Sequence, residues 1–160
     1  MHHIRPYRVT DDAQLADLYE ETVRRLAPVL YSPEQVEAWA MAARDSEHFH
    51  AMLTNGQTFV AVDSLDTPVG FTGVEPSGRV ASLYVAASWT RKGIGSSLLQ
   101  HVIEHATKLQ LPILWSEASF LSRAVFERHN FAVENAEYIV FNGVKFKRWI
   151  VRQRLHADDS

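Results

Sequence analysis

Residues Ser82 to Leu99 read Ser-Leu-Tyr-Val-Ala-Ala-Ser-Trp-Thr-Arg-Lys-Gly-Ile-Gly-Ser-Ser-Leu-Leu, and they restrict the fold more than any other stretch of the chain. Apolar residues come first, then a basic segment with Gly-x-Gly, then apolar positions at helical spacing. The pattern predicts a strand, a loop and a helix in immediate succession. The start of such a helix presents N–H groups without intrahelical partners and the positive end of the dipole, which suits a phosphate or pyrophosphate. Arg91 and Lys92 add charge, and Gly93 and Gly95 let the backbone approach an anion or adopt positive φ. The plainer alternative is an ordinary strand-to-helix connection with two solvated cations. A dinucleotide-fold signature is excluded because Leu98 stands where the third glycine is needed. A P-loop is excluded because Gly-x-x-x-x-Gly-Lys-Ser/Thr does not occur.

The remaining pattern is that of one domain, 1–160, with an α/β (α+β) element order. Ile4 to Val9 is a short strand candidate. Thr10-Asp11-Asp12 supplies an N-cap for a helix whose stripe is Leu15, Leu18, Val23 and Leu26, and Pro28 ends it. Ser32-Pro33-Glu34-Gln35 has the cap, first-turn proline and third-position glutamine of a second helix, expected to run through Trp39 to about Ala43. A third short helix is expected over Glu47 to Leu53. Strands are expected at Thr58 to Val62, Val69 to Val74, Arg79 to Val85 and Pro112 to Trp115, with a helix at Ser122 to His129. Phe131 to Phe141 and Val144 to Val151 form a hairpin about Asn142-Gly143. The main order is β-α-α-β-β-β-α-β-α-β-β.

Leu83-Tyr84-Val85, a short gap, and Thr90-Arg91-Lys92-Gly93-Ile94-Gly95-Ser96 resemble motif A of the GNAT acyltransferase superfamily, whose loop reads Gln/Arg-x-x-Gly-x-Gly/Ala. Thr90 replaces the usual Gln or Arg. Ser119 to Phe131 is similar to motif B of that family, with Ser119 for its Asn, Ser122 for its Ala, Phe126 for its Tyr and Asn130 for its Gly. The resemblance covers nearly the whole chain. It implies a central mixed, mostly antiparallel sheet flanked by helices.

The resemblance also implies acetyl-CoA as donor and a small-molecule or peptide amine as acceptor. Leu83, Tyr84, Val85, Arg91, Lys92, Gly93, Ile94, Gly95, Ser96, Ser119, Ser122 and Phe126 become the cofactor-binding candidates. A backbone N–H near Tyr84-Val85 would polarise the thioester carbonyl. Glu75 and Glu117 are the candidate bases, each acting through a water chain, with solvated loop carboxylates as the plainer alternative. In many family members the motif B tyrosine protonates the departing thiolate. Phe126 cannot, so Tyr138, Tyr31, Ser119 and Ser122 become substitute candidates. Tyr31 and Trp39 are candidates for the acceptor wall. The rival class is a non-catalytic acyl-CoA-binding or sensing module on the same fold.

His101-Val102-Ile103-Glu104-His105 matches an inverted zinc-protease pattern, but Val102 and Ile103 fall in the core stripe and no third ligand is evident, so no metal is expected. Lys145, Lys147, Arg148, Arg152 and Arg154 make the C-terminus basic; charges along an outer strand that block edge pairing are the favoured reading. Net charge of −3 argues against a nucleic-acid partner, and no apolar run is long enough for a membrane span. The chain has no cysteine, so a disulfide framework is excluded and a cytoplasmic location is expected. Either a monomer or a homodimer is compatible with the sequence.

Overall fold

The computed structural model of the protein describes residues 1–155. Its elements are β1 (His3–Pro6), α1 (Asp12–Leu26), α2 (Pro33–Ala40), α3 (Ser46–Thr54), β2 (Gln57–Val62), β3 (Pro68–Val74), β4 (Val80–Val85), α4 (Ile94–Lys108), β5 (Ile113–Ala118), α5 (Arg123–Arg128), β6 (Ala132–Phe141) and β7 (Val144–Arg154). The order is the expected one, and the third short helix expected over Glu47 to Leu53 is present as α3, between α2 and β2. β1-β2-β3-β4 form one antiparallel sheet and β5-β7-β6 another.

The two sheets meet at a narrow junction. Arg79 and Trp115 form a single parallel bridge, Trp115 N–H donates to Gly78 O (3.0 Å), and Ser116 Oγ donates to Val80 O (2.7 Å). Gly78 is at φ +90°, and a Cβ there would lie 2.2 Å from Ile113 O, so any other residue would force the sheets apart. Beyond this junction β4 and β5 diverge.

Helices cover both faces. α1, α2 and α3 pack on Val60, Val62 and Phe71, while α4 and α5 pack on Phe59, Leu114, Trp149 and Val151. Burying one such side chain contributes about 1.5–3 kcal/mol. An exposed ion pair such as Arg25–Glu21 contributes about 0–1 kcal/mol, so the apolar faces govern the layering. α4 buries Ile94, Leu98, Leu99, Val102 and Ala106, as its periodicity requires.

Several boundaries differ from the sequence reading. The first strand stops at Pro6, and Val9 lies in a 3₁₀ turn, because the chain bends to bring Asp11 against Arg5 (2.8 and 2.9 Å). Asp11 therefore does not cap α1 with its side chain. α2 ends at Ala40 and continues as a 3₁₀ turn, Met41–Arg44, while its Ser32/Gln35 capping box forms as expected. β5 runs on to Ala118. The basic β7 is no outer strand: it is hydrogen-bonded on both sides, and β6 forms the edge.

Candidate functional site

The chain leaves β4 through a 3₁₀ turn, Ala87–Trp89, and reaches α4 through a tight basic loop. Thr90 Oγ1 donates to Ala87 O (3.0 Å) and ties off the turn. Arg91 (φ +63°) and Gly93 (φ +78°) are both left-handed. A Cβ on Gly93 would meet nothing within 4 Å, so conformation and not crowding calls for glycine there. Ser97 N–H bonds Gly93 O (2.9 Å), which leaves the N–H groups of Ile94, Gly95 and Ser96 without helical acceptors. Three N–H donors, a 15-residue helix behind them and Arg91 beside them fit a pyrophosphate. Lys92 is placed differently from the expectation: its Nζ rests 5.0 Å from the Trp89 ring centroid, outside the cleft lining.

From this loop a cleft of about 510 Å³ runs between β4 and β5. Leu83, Val85, Ser119, Ser122 and Phe126 line it. Ala86 N–H donates to Val69 O on β3 (2.8 Å), so strand alternation turns the peptide groups of Val85 and Leu83 to the opposite edge, towards β5. The Tyr84 peptide faces β3, where its oxygen lies 2.9 Å from the Cβ position of Gly70. Of the two residues named as N–H donors, Val85 is the one that faces the opening, and Tyr84 contributes its side chain elsewhere.

That side chain helps to build the far wall. Tyr84 stacks on Phe71 (5.4 Å between centroids) and its hydroxyl accepts from Trp39 Nε1 (3.2 Å). Tyr31 meets Trp39 edge-on (5.2 Å), and its hydroxyl accepts from Phe120 N–H (2.9 Å). Burial raises the pKa of Tyr84, Tyr31 and Tyr19, so all three hydroxyls keep their protons at neutral pH. Tyr31 and Trp39 are thus brought together as the sequence suggested. Tyr19, Phe141 and Phe146 complete the wall, and nothing local in the sequence marked them.

The two candidate bases belong to an ionic chain across the junction. Arg79 donates to Glu117 Oε1 (2.6 Å) and Glu75 Oε2 (3.0 Å); Arg148 lies 3.2 Å from Glu117 Oε2 and donates to Glu137 (2.8 Å). Both Glu117 oxygens are engaged by guanidinium groups. Glu75 sits behind Arg79, outside the lining. Arg148 and Glu137 were not legible as site neighbours, because they reach Glu117 only through the β5-β7-β6 pairing.

Ser119 and Ser122 knit the turn before α5. Ser119 N–H donates to Ser122 Oγ (3.0 Å), and Leu121 and Ser122 N–H donate to Ser119 Oγ (3.1 and 3.2 Å). Phe126 is 2% exposed and packs against Phe131 (5.0 Å), although part of its ring borders the cleft. Tyr138 corrects the reading: it is 61% exposed and lies outside the lining. Alternation along β6 sends Ile139 and Phe141 towards the cleft and Tyr138 outwards, where Lys145 Nζ sits 4.5 Å from its ring centroid.

His101 and His105 pack on the Phe59 ring (4.4 and 5.1 Å between ring centroids). Among the described residues no group of three or more His, Cys, Asp or Glu gathers to hold a metal ion, and no helix is long and apolar enough to cross a membrane.

A family model described as "Acetyltransferase (GNAT) domain" matches residues 29–151. The uncharacterized N-acetyltransferase YafP of Escherichia coli (strain K12) is 28% identical over 151 residues, covering 94% of this chain and 95% of YafP. A GCN5-related N-acetyltransferase from Rhodopseudomonas palustris superposes with a TM-score of 0.90 at 26% identity, over 95% of this chain and 94% of that one. PaiA N-acetyltransferase from Thermoplasma acidophilum, solved in complex with coenzyme A, has a TM-score of 0.76 at 17% identity, over 96% and 99% of the two chains.

Proposed function

Because the chain belongs to the GNAT acetyltransferase family, we propose that it moves an acetyl group from acetyl-CoA directly to an amine, with no covalent enzyme intermediate. The observation that carries this reading is one continuous cleft. It has the left-handed Gly93 loop and the α4 N-terminus at one end and the Tyr31–Trp39–Tyr84 wall at the other. Acetyl-CoA supplies the acetyl group already activated as a thioester. The N–H groups of Ile94, Gly95 and Ser96, with Arg91, hold its pyrophosphate. The peptide edge of Leu83 and Val85 orients the arm, and the Val85 N–H stabilises charge developing on the carbonyl oxygen. Tyr31 and Trp39 position the acceptor.

Proton handling is light in this reading. With Glu117 engaged by two arginines and Glu75 behind Arg79, outside the lining, the amine proton leaves to water. Of the substitutes for the missing phenol at Phe126, Tyr31, Ser119 and Ser122 line the cleft and Tyr138 does not. A thiol of pKa about 8.5 departs as thiolate without a dedicated acid.

Calorimetry with CoA, followed by a free-thiol assay with acetyl-CoA and a panel of amines, tests the proposal. Micromolar CoA affinity and amine-dependent thiol release are expected. Failure to bind CoA would sink it. The engaged Glu117 and the phenylalanine at 126 favour one second reading, an acyl-CoA-binding module without turnover; CoA binding with no thiol release for any amine would select it.

A further inference from the structure

We propose that the acceptor is a primary amine on an apolar, ring-bearing body, seated among Tyr19, Tyr31, Trp39, Tyr84, Phe141 and Phe146, and that polycations are excluded. The inference rests on the acetyl-transfer reading and names the substrate class for that same cleft. Six aromatic rings from α1, the α1–α2 connection, α2, β4, β6 and β7 converge on its acceptor end. Ring edges and faces meet here at 5.2 Å (Tyr31–Trp39), 6.5 Å (Trp39–Tyr84) and 6.1 Å (Tyr31–Phe146). Such a wall holds a flat or branched apolar body through contact and ring geometry.

Charge decides against the alternatives. Among the described residues Glu117 is the one carboxylate in the lining, and Arg79 and Arg148 already hold it. The other charged lining residues are Arg79, Arg91, Arg128, Lys147 and Arg148, all cationic. A polyamine or aminoglycoside would bring several ammonium groups into this field with no free carboxylate to receive them. A single amine has to be uncharged to attack a thioester, and the polar groups on the wall suit that state. They are neutral: the Trp39 indole N–H, the hydroxyl of Tyr84, which accepts from it, and the hydroxyls of Tyr19 beside Tyr84 (4.5 Å between ring centroids) and of Tyr31, whose pKa values burial raises further above neutral pH.

The test compares 2-phenylethylamine with spermidine. In the free-thiol assay at saturating acetyl-CoA, kcat/KM for 2-phenylethylamine should exceed that for spermidine by about 100-fold, the scale on which shaped pockets discriminate. Calorimetric titration of 2-phenylethylamine into the CoA-loaded protein should show binding without turnover. Phe141 is 36% exposed, so Phe141→Ala should fold. It and Trp39→Phe should each weaken 2-phenylethylamine binding several-fold while CoA affinity stays within twofold. Spermidine equal to or better than 2-phenylethylamine would overturn the substrate class and leave acetyl transfer standing. Absence of calorimetric binding, or unchanged binding in both variants, would also overturn it. Binding of 2-phenylethylamine without its turnover, while another amine of the panel releases thiol, would also overturn the substrate class; no thiol release for any amine would sink the transfer reading instead.

Discussion

The loop from Thr90 to Ser96 and the aromatic wall lie at the two ends of one cleft, yet they are built in opposite ways. The loop is local. Seven consecutive residues, two of them left-handed, aim backbone N–H groups at one point, so its chemistry survives changes of side chain. The wall is assembled from six separated elements, and its chemistry is entirely that of side chains. The ionic chain Glu75–Arg79–Glu117–Arg148–Glu137 lies between them and ties the two sheets at the junction. A backbone site tolerates sequence drift, and in the proposed function it fixes the donor. A side-chain site changes with each substitution, which in the proposed function lets it select the acceptor.

The largest effect should come from the conformation of the loop. Gly93→Val puts a β-branched residue at φ +78°; the free loop relaxes away from that conformation, and regaining it to bind costs about 1–3 kcal/mol, or roughly 5–150-fold in CoA affinity. Gly95→Ala should change affinity by less than about threefold, because its Cβ would sit 3.6 Å from Val85, an ordinary contact. Calorimetry of the pair checks the contrast, and equal losses would mean that the backbone argument is wrong.

Glu117→Gln probes the connection between the ends. Its side chain is 16% exposed, so loss of its pairs with Arg79 and Arg148 should cost about 1–3 kcal/mol, between exposed and buried ion pairs. With a structural Glu117, thermal unfolding shifts while kcat falls less than tenfold and the acidic limb of the pH–rate profile stays in place. A fall of about 100-fold or more with loss of that limb would make Glu117 the base.

Phe126→Tyr should be milder. The ring borders the cleft while packing on Phe131, so an added hydroxyl that opens onto the cleft should leave Tm nearly unchanged and kcat unchanged or raised, against a loss of about 1–3 kcal/mol for one buried without a partner. Failure to fold would show that the ring is sealed and that the motif B alignment at this position is wrong.

The smallest effect concerns α4 well away from the cleft. Burial against Phe59 lowers the His105 pKa, so between that lowered value and the ordinary one near 6.5 the unfolded chain binds more protons than the folded one. Stability therefore falls as pH drops through this window. His105→Gln should flatten that part of the Tm–pH curve and leave CoA affinity unaltered; an identical curve would remove His105 as the cause.

Much of this molecule is legible in one dimension, for reasons that separate its two ends. Helix stripes, the Ser32/Gln35 capping box, the Asn142-Gly143 turn and the Thr90–Ser96 loop depend on residues within a few positions of each other. Backbone conformation and periodicity are local, so the sequence carries them directly, together with the family resemblance. The strand end at Pro6 was not legible, because Arg5 and Asp11 meet only when the chain has bent. The roles of Glu117 and Tyr138 were not legible either. Glu117 is claimed by Arg148 through the pairing of β5 with β7, and Tyr138 is turned outwards by the registry of β6. Pairing register and layer packing join residues far apart in the chain. By that route the tertiary structure alone decided which carboxylates are already bound and which rings line the cleft.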